Sequence, residues 1–283
     1  MWHDRLMKRL ALRPQRGALP EAAAEDAGFV RRRGRRYWID RRKKLSTVLP
    51  NEIILAKLLE FLEREFHSPR ADRSLLDLGA GTAPYAPVYE NYFPATVTVD
   101  VPDSPHDVSG VDVTATAEAL PFESESFDLV LCTEVLEHCR KPEDVLAEIA
   151  RVLKPDGFLF LTTPLMVGLH EQPRDFYRFT PFGLEYLAMS AGLTTKYVHT
   201  KGGYGAVLML LLQYPMTKIW YLAQKSTRLP LYRPANPFLL VTVVMPQVLY
   251  VWSWKRRRGR TAGALSERLN RTTLGYIAVF RKA

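Results

Sequence analysis

The sequence predicts an α/β fold in which helices cover both faces of a mostly parallel β-sheet. Short apolar segments rich in β-branched residues alternate along the chain with segments whose apolar residues recur at helical spacing. The chain has 283 residues, of which 47% are hydrophobic, so it can form one large domain or two small ones. Its two cysteines, Cys132 and Cys139, indicate neither a disulfide framework nor a zinc-ligand pattern.

The first predicted helix covers residues 51–66, with Asn51 as its N-cap. Beyond it, the predicted elements are a strand and a glycine turn within 74–87, strands at 95–100 and within 126–138, a helix from Pro142 to Leu153, a strand at 158–163, a helix over 181–192 that Thr180 and Pro181 cap and open, and strands at 194–200 and 273–282. This alternation of strands and helices is the pattern of a parallel sheet.

Ligand-binding residues are expected where the first two predicted strands end. Asp77 ends the first strand, and Gly79 and Gly81 allow the following turn to come close to a ligand. Asp100 ends the second strand, at the usual place for a carboxylate that accepts both hydroxyls of an adenosine ribose. Because this arrangement suits either NAD or S-adenosylmethionine, these residues alone leave the cofactor open.

Several motifs that occur in a fixed order along the chain distinguish S-adenosylmethionine from NAD as the cofactor. The series LLDLGAGT, VTVD, AEALPFESESFDLVLCTEVLEH and EDVLAEIARVLKPDGFLFLTTP closely resembles the class I S-adenosylmethionine-dependent methyltransferases of the type 11-like group, which is related to the quinone-biosynthesis methylases. The resemblance covers roughly residues 51–200 and the last strand. It implies a Rossmann-like, doubly wound sheet of seven strands with an antiparallel last strand, and S-adenosyl-L-methionine as the cofactor.

Carried over to this sequence, the resemblance implies contacts with the amino acid part, the ribose, the adenine and the methyl group of the cofactor. The implied cofactor-binding residues are Asp77, Gly79, Ala80, Gly81, Asp100, Ala117, Glu118, Ala119 and Thr133. Two positions depart from the family pattern. Ala83 stands where the family has a third glycine, and Thr116 where an acid often precedes AEALPF.

The segment HEQPRDFYRFT, residues 170–180, follows a strand whose carboxyl end is expected on the acceptor side of the cofactor. We predict His170 as the base, Tyr177 as an aromatic wall, and Asp175 and Arg178 as a loop-ordering ion pair or as acceptor contacts. The alternative is that Asp175 and Arg178 only hold the loop while Thr180 caps the next helix.

No metal site is expected, since methyl displacement needs no metal and the loop at 170–180 contains a single histidine. The polar residues Glu134, Glu137 and His138, which follow the strand within 126–138, are interpreted as solvated or structural.

The net charge of +9 comes from the first 50 residues, which form a predicted basic arm. Its runs RRRGRR and RRKK suit the phosphates of RNA or of lipid headgroups, although a solvated extension without a specific partner is the alternative. Charges are scattered through residues 1–17, where a secretory signal would need a continuous apolar run. We therefore expect a cytoplasmic protein.

Residues 204–260 interrupt the alternation with two long apolar stretches rich in Trp and Tyr. From Tyr186 to Ser266 no Asp or Glu occurs, whereas 11 Lys and Arg residues do, a composition that suits an anionic lipid surface. We interpret this segment as a helical insertion that is peripheral or monotopic at the inner face of the cell membrane. The alternatives are a subdomain that covers the active site, or a dimer surface.

The predicted organisation is a basic arm (1–50), a cofactor-binding methyltransferase core (51–203), an apolar, basic, membrane-associated insertion (204–260) and a return segment with the last strand (261–283). The predicted function is methyl transfer to a small-molecule, lipid or lipid-linked glycan acceptor, with oxygen as the methylated atom. The alternatives are an RNA methyltransferase that uses the basic arm, and a membrane-attached scaffold without catalysis.

Overall fold

The computed structural model describes residues 48–68, 70, 72–211 and 272–283. Residues 57–199 and 276–283 form one compact unit, which contains the body of the sheet, and residues 48–56, 200–211 and 272–275 belong to a second unit. Nearly all of the predicted basic arm, most of the predicted insertion and residues 261–271 lie outside the described residues. The predicted domain boundaries therefore stay predictions.

Among the described residues, the sheet has seven strands. In chain order the elements are α1 (Val48–Phe66), β1 (Ser74–Leu78), α2 (Ala86–Tyr89), β2 (Ala95–Asp100), β3 (Val113–Thr114), β4 (Phe127–Thr133), a short 3-10 helix (Leu136–His138), α3 (Pro142–Val152), β5 (Leu153–Pro164), α4 (Pro181–Ser190), β6 (Leu193–Thr200) and β7 (Gly275–Lys282). The strand order across the sheet is β3-β2-β1-β4-β5-β7-β6. Strand β1 pairs in parallel with β2 and β4, β2 with β3, and β4 with β5.

Strand β7 runs antiparallel to its neighbours. The Nζ atom of Lys282 donates to the carbonyl oxygen of Leu153 at 2.7 Å, and Oγ1 of Thr194 donates to the carbonyl oxygen of Arg281 at 3.0 Å. The end of β7 therefore lies beside the beginnings of β5 and β6. The predicted Rossmann-like, doubly wound seven-stranded sheet with an antiparallel last strand is confirmed.

Apolar side chains cover both faces of the sheet because successive residues of a strand point to opposite sides. Leu159 and Leu161 of β5 belong to a large buried cluster that also contains apolar residues of α3 and α4. On the other face, the ring of Phe61 in α1 lies 5.7 Å from that of Phe158 and 5.5 Å from that of Phe160. Burial of this apolar area, at about 25 cal/mol per Å², holds helices on the two faces.

Helix α1 begins at Val48, so the predicted start at residue 51 and the predicted N-cap Asn51 are wrong. Pro50 lies in the first turn of the helix. The N–H groups of a first turn have no carbonyl partner within the helix, and a proline there costs no hydrogen bond. The proline therefore does not delay the start of the helix.

Strand β5 is longer than the predicted 158–163, because it continues through a bulge in the Lys-Pro-Asp-Gly sequence. Phe127 pairs with Leu153 and Leu129 with Phe158, which leaves additional residues on the β5 side of the ladder. Asp156 in this bulge has a φ of 64°, a left-handed conformation that aspartate adopts more readily than most residues.

The predicted cap of α4 is confirmed. Oγ1 of Thr180 accepts the backbone N–H of Gly183 at 3.1 Å, and Pro181 occupies the first turn. The helix ends at Ser190, shortly before Gly192, whose φ of 79° does not continue a right-handed helix.

In the second unit, residues 204–211 are helical, and the N–H of Lys201 donates to the carbonyl oxygen of Gly275 at 2.7 Å. Within the described part of the chain, no helix combines the length and the apolar character needed to cross a bilayer.

Candidate functional site

The carboxyl ends of four parallel strands meet at one edge of the sheet. In the register of the ladders, Leu78 of β1 lies beside Val99 of β2 and beside Cys132 of β4, while Thr133 of β4 lies beside Thr162 of β5. The loops that follow β1, β2, β4 and β5 therefore start side by side. Ligands bind at this edge in open α/β sheets.

The turn after β1 requires glycine at residue 79. Gly79 has a φ of 68°, and a Cβ atom there would lie 2.3 Å from Cγ2 of Val135, closer than real Cβ contacts allow. The N–H groups of Gly79 and Ala80 both donate to the carbonyl oxygen of Val99, at 2.8 and 3.0 Å. The turn is thus held against β2 on one side and against the loop after β4 on the other.

Asp100 connects the same turn to the end of β2. Its Oδ2 atom accepts the N–H of Gly81 at 2.7 Å, and its Oδ1 atom accepts the N–H of Val101 at 2.7 Å. Each carboxylate oxygen has a further lone pair, so the group can also accept hydrogen bonds from two neighbouring hydroxyls. Two such acceptors match the two adjacent hydroxyl donors of a ribose.

Asp77 is buried behind the turn. The pKa of Asp77 is raised to about 7, chiefly by burial; the 2.7 Å hydrogen bond from the hydroxyl of Tyr89 acts in the opposite direction, and the nearby charge of Asp100 adds to the rise. The Tyr89 contact connects α2 to the end of β1, so Asp77 orders the segment that follows the glycine turn.

The predicted adenine loop begins beside Asp100, since the N–H of Ala115 donates to the carbonyl oxygen of Asp100 at 3.1 Å. Ala117 is buried, Glu118 is half-buried, and Thr116 and Ala119 are exposed and paired in an isolated bridge. Thr133 is half-buried at the end of β4.

The loop after β5 is ordered by Asp175 and Arg178. The two Nη atoms of Arg178 donate to the two carboxylate oxygens of Asp175 at 2.5 and 2.8 Å, and Oδ2 of Asp175 also accepts the N–H of His170 at 3.0 Å. The hydrogen bonds from Arg178 hold the pKa of Asp175 well below its usual range. This bidentate pair places the backbone of His170.

Two histidines face one buried carboxylate at this edge. The rings of His138 and His170 are 4.9 Å apart, and their Nε2 atoms lie 3.7 and 4.0 Å from Oε1 of Glu137. Glu137 has no exposed surface. The loop after β5 covers it, since the N–H groups of Phe176 and Tyr177 both donate to the carbonyl oxygen of Glu137, at 2.9 and 3.3 Å.

A third histidine connects this loop to the glycine turn. Nε2 of His106 lies 2.9 Å from Oε1 of Glu171, and the hydrogen bond lowers the pKa of Glu171. The side chain of His106 also lies 3.4 Å from the position that a Cβ atom on Gly81 would occupy. The loops after β1, β2 and β5 therefore contact one another.

The loop after β5 also lines a pocket. Its apolar wall includes Val167, Leu169 and Phe176, and its polar wall includes Asp175, Tyr177 and Arg178. The hydroxyl of Tyr177 donates to the carbonyl oxygen of Arg140 at 2.9 Å, so the ring forms part of the wall while the hydroxyl is held by the protein.

Comparison with known proteins identifies the segment that builds this edge. A family model described as a methyltransferase domain matches residues 76–161, which contain the glycine turn, Asp100, the carboxyl end of β4 and most of β5. The segment is a class I S-adenosylmethionine-dependent methyltransferase domain. The predicted family and cofactor are confirmed.

The chain is similar to curated proteins over part of their length. It is 32% identical over 140 residues to a ubiquinone biosynthesis O-methyltransferase of Hahella chejuensis, covering 46% of this chain and 56% of that protein. It is 33% identical over 103 residues to the uncharacterized methyltransferase YcgJ of Bacillus subtilis, covering 32% and 41%. The chain thus spans about half the length of the curated relatives it matches.

The fold has a solved counterpart in the cyclase SpnF, with a TM-score of 0.50 and 18% identity over 80% of each chain. At this identity the likeness shows the fold alone.

The methyltransferase domain fits its cofactor at two described features. Gly79 lets the turn pack closely against Val135 at the ligand-binding edge of the sheet, and the carboxylate of Asp100 can accept two hydroxyls. The structure brings Asp77, Gly79, Ala80, Gly81, Asp100 and Thr133 to one edge, with Ala117, Glu118 and Ala119 in the loop that begins beside Asp100. Their contacts with the cofactor stay predictions.

Sequence reasoning missed the cluster around Glu137. The interpretation of Glu137 as a solvated acid is wrong, because a 3-10 turn places it beneath the loop after β5. The positions of Glu137 and His138 shortly after β4 were the available signal, since the carboxyl ends of parallel strands meet at one edge. His106 and Glu171 left no such signal in the sequence.

Proposed function

We propose that this protein transfers the methyl group of S-adenosylmethionine to an oxygen of a small-molecule, lipid or lipid-linked glycan acceptor. The observation that carries the proposal is the position of the loop after β5, which lines a pocket at the same sheet edge as the glycine turn. Support for oxygen as the methylated atom comes from the similarity to a ubiquinone biosynthesis O-methyltransferase.

The residues of the domain have separate tasks in this proposal. S-adenosylmethionine supplies an electrophilic methyl group, and much of the rate of a direct displacement comes from holding the acceptor in line with it. Gly81 and Asp100 hold the cofactor, and the pocket walls hold the acceptor. Nε2 of His170 would accept the proton of the acceptor hydroxyl, while Asp175 and Arg178 position the histidine backbone.

Exposed apolar side chains on the loop after β5 and on α4 support an acceptor with an apolar part. Leu169, in the loop after β5, is 73% exposed, and α4 presents Phe182, Tyr186 and Met189 at helical spacing with 78, 72 and 68% of their surfaces exposed. A soluble sugar or nucleotide acceptor would not require such side chains.

We further propose that the protein binds the inner face of the cell membrane, through residues 204–260 and the basic arm. The composition of these segments supports the proposal, as does the exposed apolar face of α4. Sedimentation with phosphatidylcholine vesicles, with and without phosphatidylglycerol, tests it. Binding is expected only with the anionic vesicles and should weaken with salt. Equal behaviour with both kinds of vesicle would refute an electrostatic membrane contact.

Incubation of the full chain with methyl-labelled S-adenosylmethionine and fractionated cell extract tests the function. Label is expected in a lipid or glycan fraction with the wild type and not with Asp100→Ala. Label in RNA would replace the proposal by methylation of RNA. If calorimetry showed that the folded wild type does not bind the cofactor, the protein would be a scaffold with a methyltransferase fold.

A further inference from the structure

We propose that Glu137, His138 and His170 form a binding site for a divalent transition-metal ion, and that Zn²⁺ suits these ligands best. Each residue offers one ligand atom, and the three atoms lie within 4.8 Å of one another. Ligands of a tetrahedral Zn²⁺ ion are roughly 3.4 Å apart, given bonds of about 2.1 Å. Oε1 of Glu137 lies 3.7 and 4.0 Å from the two Nε2 atoms. Small side-chain movements would therefore bring these atoms to the spacing of zinc ligands.

Hydrogen bonds to Nδ1 of His138 and of His170 orient each imidazole ring so that its Nε2 atom faces the proposed metal position. Nδ1 of His138 lies 2.6 Å from the carbonyl oxygen of Arg174, which can only accept, so Nδ1 carries the proton. Nδ1 of His170 lies 3.3 Å from the carbonyl oxygen of Gly168 and 3.4 Å from Oδ2 of Asp175, two further acceptors. In a neutral imidazole this leaves the lone pair on Nε2, the arrangement found in metal-binding histidines.

Two lone pairs and a carboxylate oxygen that converge repel one another unless a positive charge lies among them. The surroundings add negative charge, because Oε2 of Glu171 is 3.6 Å from Nε2 of His138 and Asp175 is 3.4 Å from His170. Arg178 pairs with Asp175, and Nε2 of His106 lies 2.9 Å from Oε1 of Glu171. A divalent cation at the point where the two Nε2 atoms and Oε1 of Glu137 converge would be attracted by all three ligand atoms.

The ligand types select the ion. Two imidazole nitrogens and one carboxylate oxygen suit Zn²⁺ and similar transition metals, whereas Mg²⁺ prefers oxygen ligands alone. Three protein ligands leave a coordination position open, as in catalytic zinc sites. The role of the ion, but not its binding, rests on the proposed function. The ion would bind the acceptor oxygen and make its hydroxyl more acidic, so that the proton leaves to water and His170 acts as a ligand instead of a base.

Calorimetry with metal ions alone and the full, untagged chain tests the site. We expect one Zn²⁺ per chain and no measurable binding of Mg²⁺. Glu137→Gln, His138→Gln and His170→Gln should each weaken Zn²⁺ binding at least about 100-fold, since loss of even an outer contact costs 10- to 100-fold. His199→Gln, in β6 and paired with the ring of Tyr197, is the matched control and should bind Zn²⁺ like the wild type.

A folded wild type that binds no Zn²⁺ would overturn the inference, as would binding that all three variants retain. If the buried Glu137→Gln variant does not fold, the two histidine variants decide. The results that would contradict the proposed function differ from those that would contradict the metal site. Methyl transfer that persists without Zn²⁺ binding would leave the function standing and remove the metal site, whereas Zn²⁺ binding without label transfer would do the reverse.

Discussion

Gly81 donates its backbone N–H to the Oδ2 atom of Asp100 at 2.7 Å, which connects the turn after β1 to the end of β2. The same carboxylate holds the turn in place and is predicted to accept the ribose hydroxyls of the cofactor. An amide side chain offers one acceptor oxygen in place of two and carries no charge. If this prediction holds, a change at Asp100 affects both the order of the turn and the affinity for the cofactor.

We expect Asp100→Asn to raise the Kd for S-adenosylmethionine roughly 10- to 100-fold, since hydrogen bonds to a charged group contribute about 1.5–3 kcal/mol. Isothermal titration calorimetry measures the change. Asp112→Asn is the matched control, because the Asp112 carboxylate accepts from the N–H and hydroxyl of Thr98 instead of from the glycine turn. Equal loss of affinity in both variants would mean that Asp100 has no special contact with the cofactor.

Gly79→Ala should abolish cofactor binding and lower the melting temperature. The added Cβ would meet Val135 at 2.3 Å, and the φ of 68° is unfavourable for alanine. The same substitution at Gly168, where a Cβ atom would meet nothing within 4 Å, should leave the melting temperature nearly unchanged. Thermal unfolding of the two variants makes the comparison. Similar melting temperatures for both would show that the turn adapts to a side chain.

Asp77 should make the stability depend on pH. Its pKa rises from an ordinary 3.8 to about 7 in the folded chain, so the folded state holds a proton between these values that the unfolded state has released. The free energy of unfolding should therefore fall as pH rises from about 4 to 7 and level off above. The effect is on the order of 2–4 kcal/mol.

Denaturant unfolding of the wild type and Asp77→Asn between about pH 5 and pH 8 isolates this contribution. The asparagine cannot ionise but can still accept the hydroxyl of Tyr89. Its stability should fall less than that of the wild type as pH rises. If the free energy of unfolding changed equally with pH in the two proteins, groups other than Asp77 would account for the pH dependence.

His170→Ala should bind S-adenosylmethionine like the wild type and transfer methyl groups roughly 100- to 10,000-fold more slowly, the usual contribution of a proton-accepting side chain. A comparable loss is expected if the histidine binds a metal. Labelled turnover with His199→Ala as control measures the effect. Turnover as fast as that of the wild type would mean that the loop after β5 is structural.

Local signals were sufficient for most of the fold. Buried parallel strands appear as short apolar runs such as FLFLTT, and Pro142, Thr180 and Pro181 mark helix starts through their own backbone geometry and hydrogen bonds. The start of α1 and the bulge in β5 were missed. A proline in a first turn removes nothing from a helix, and a bulge is defined by its pairing with a second strand.

The sequence by itself determined the methyltransferase fold, the cofactor turn and the position of Asp100, because each depends on residue types at short spacing along one βα unit. Only the tertiary structure decided that His138 and His170 face the same buried Glu137. Their loops follow β4 and β5, which pair in parallel, so residues far apart in the chain reach one edge of the sheet. The spacing of residues along the chain therefore could not predict how close His138 and His170 lie to Glu137 in the folded protein.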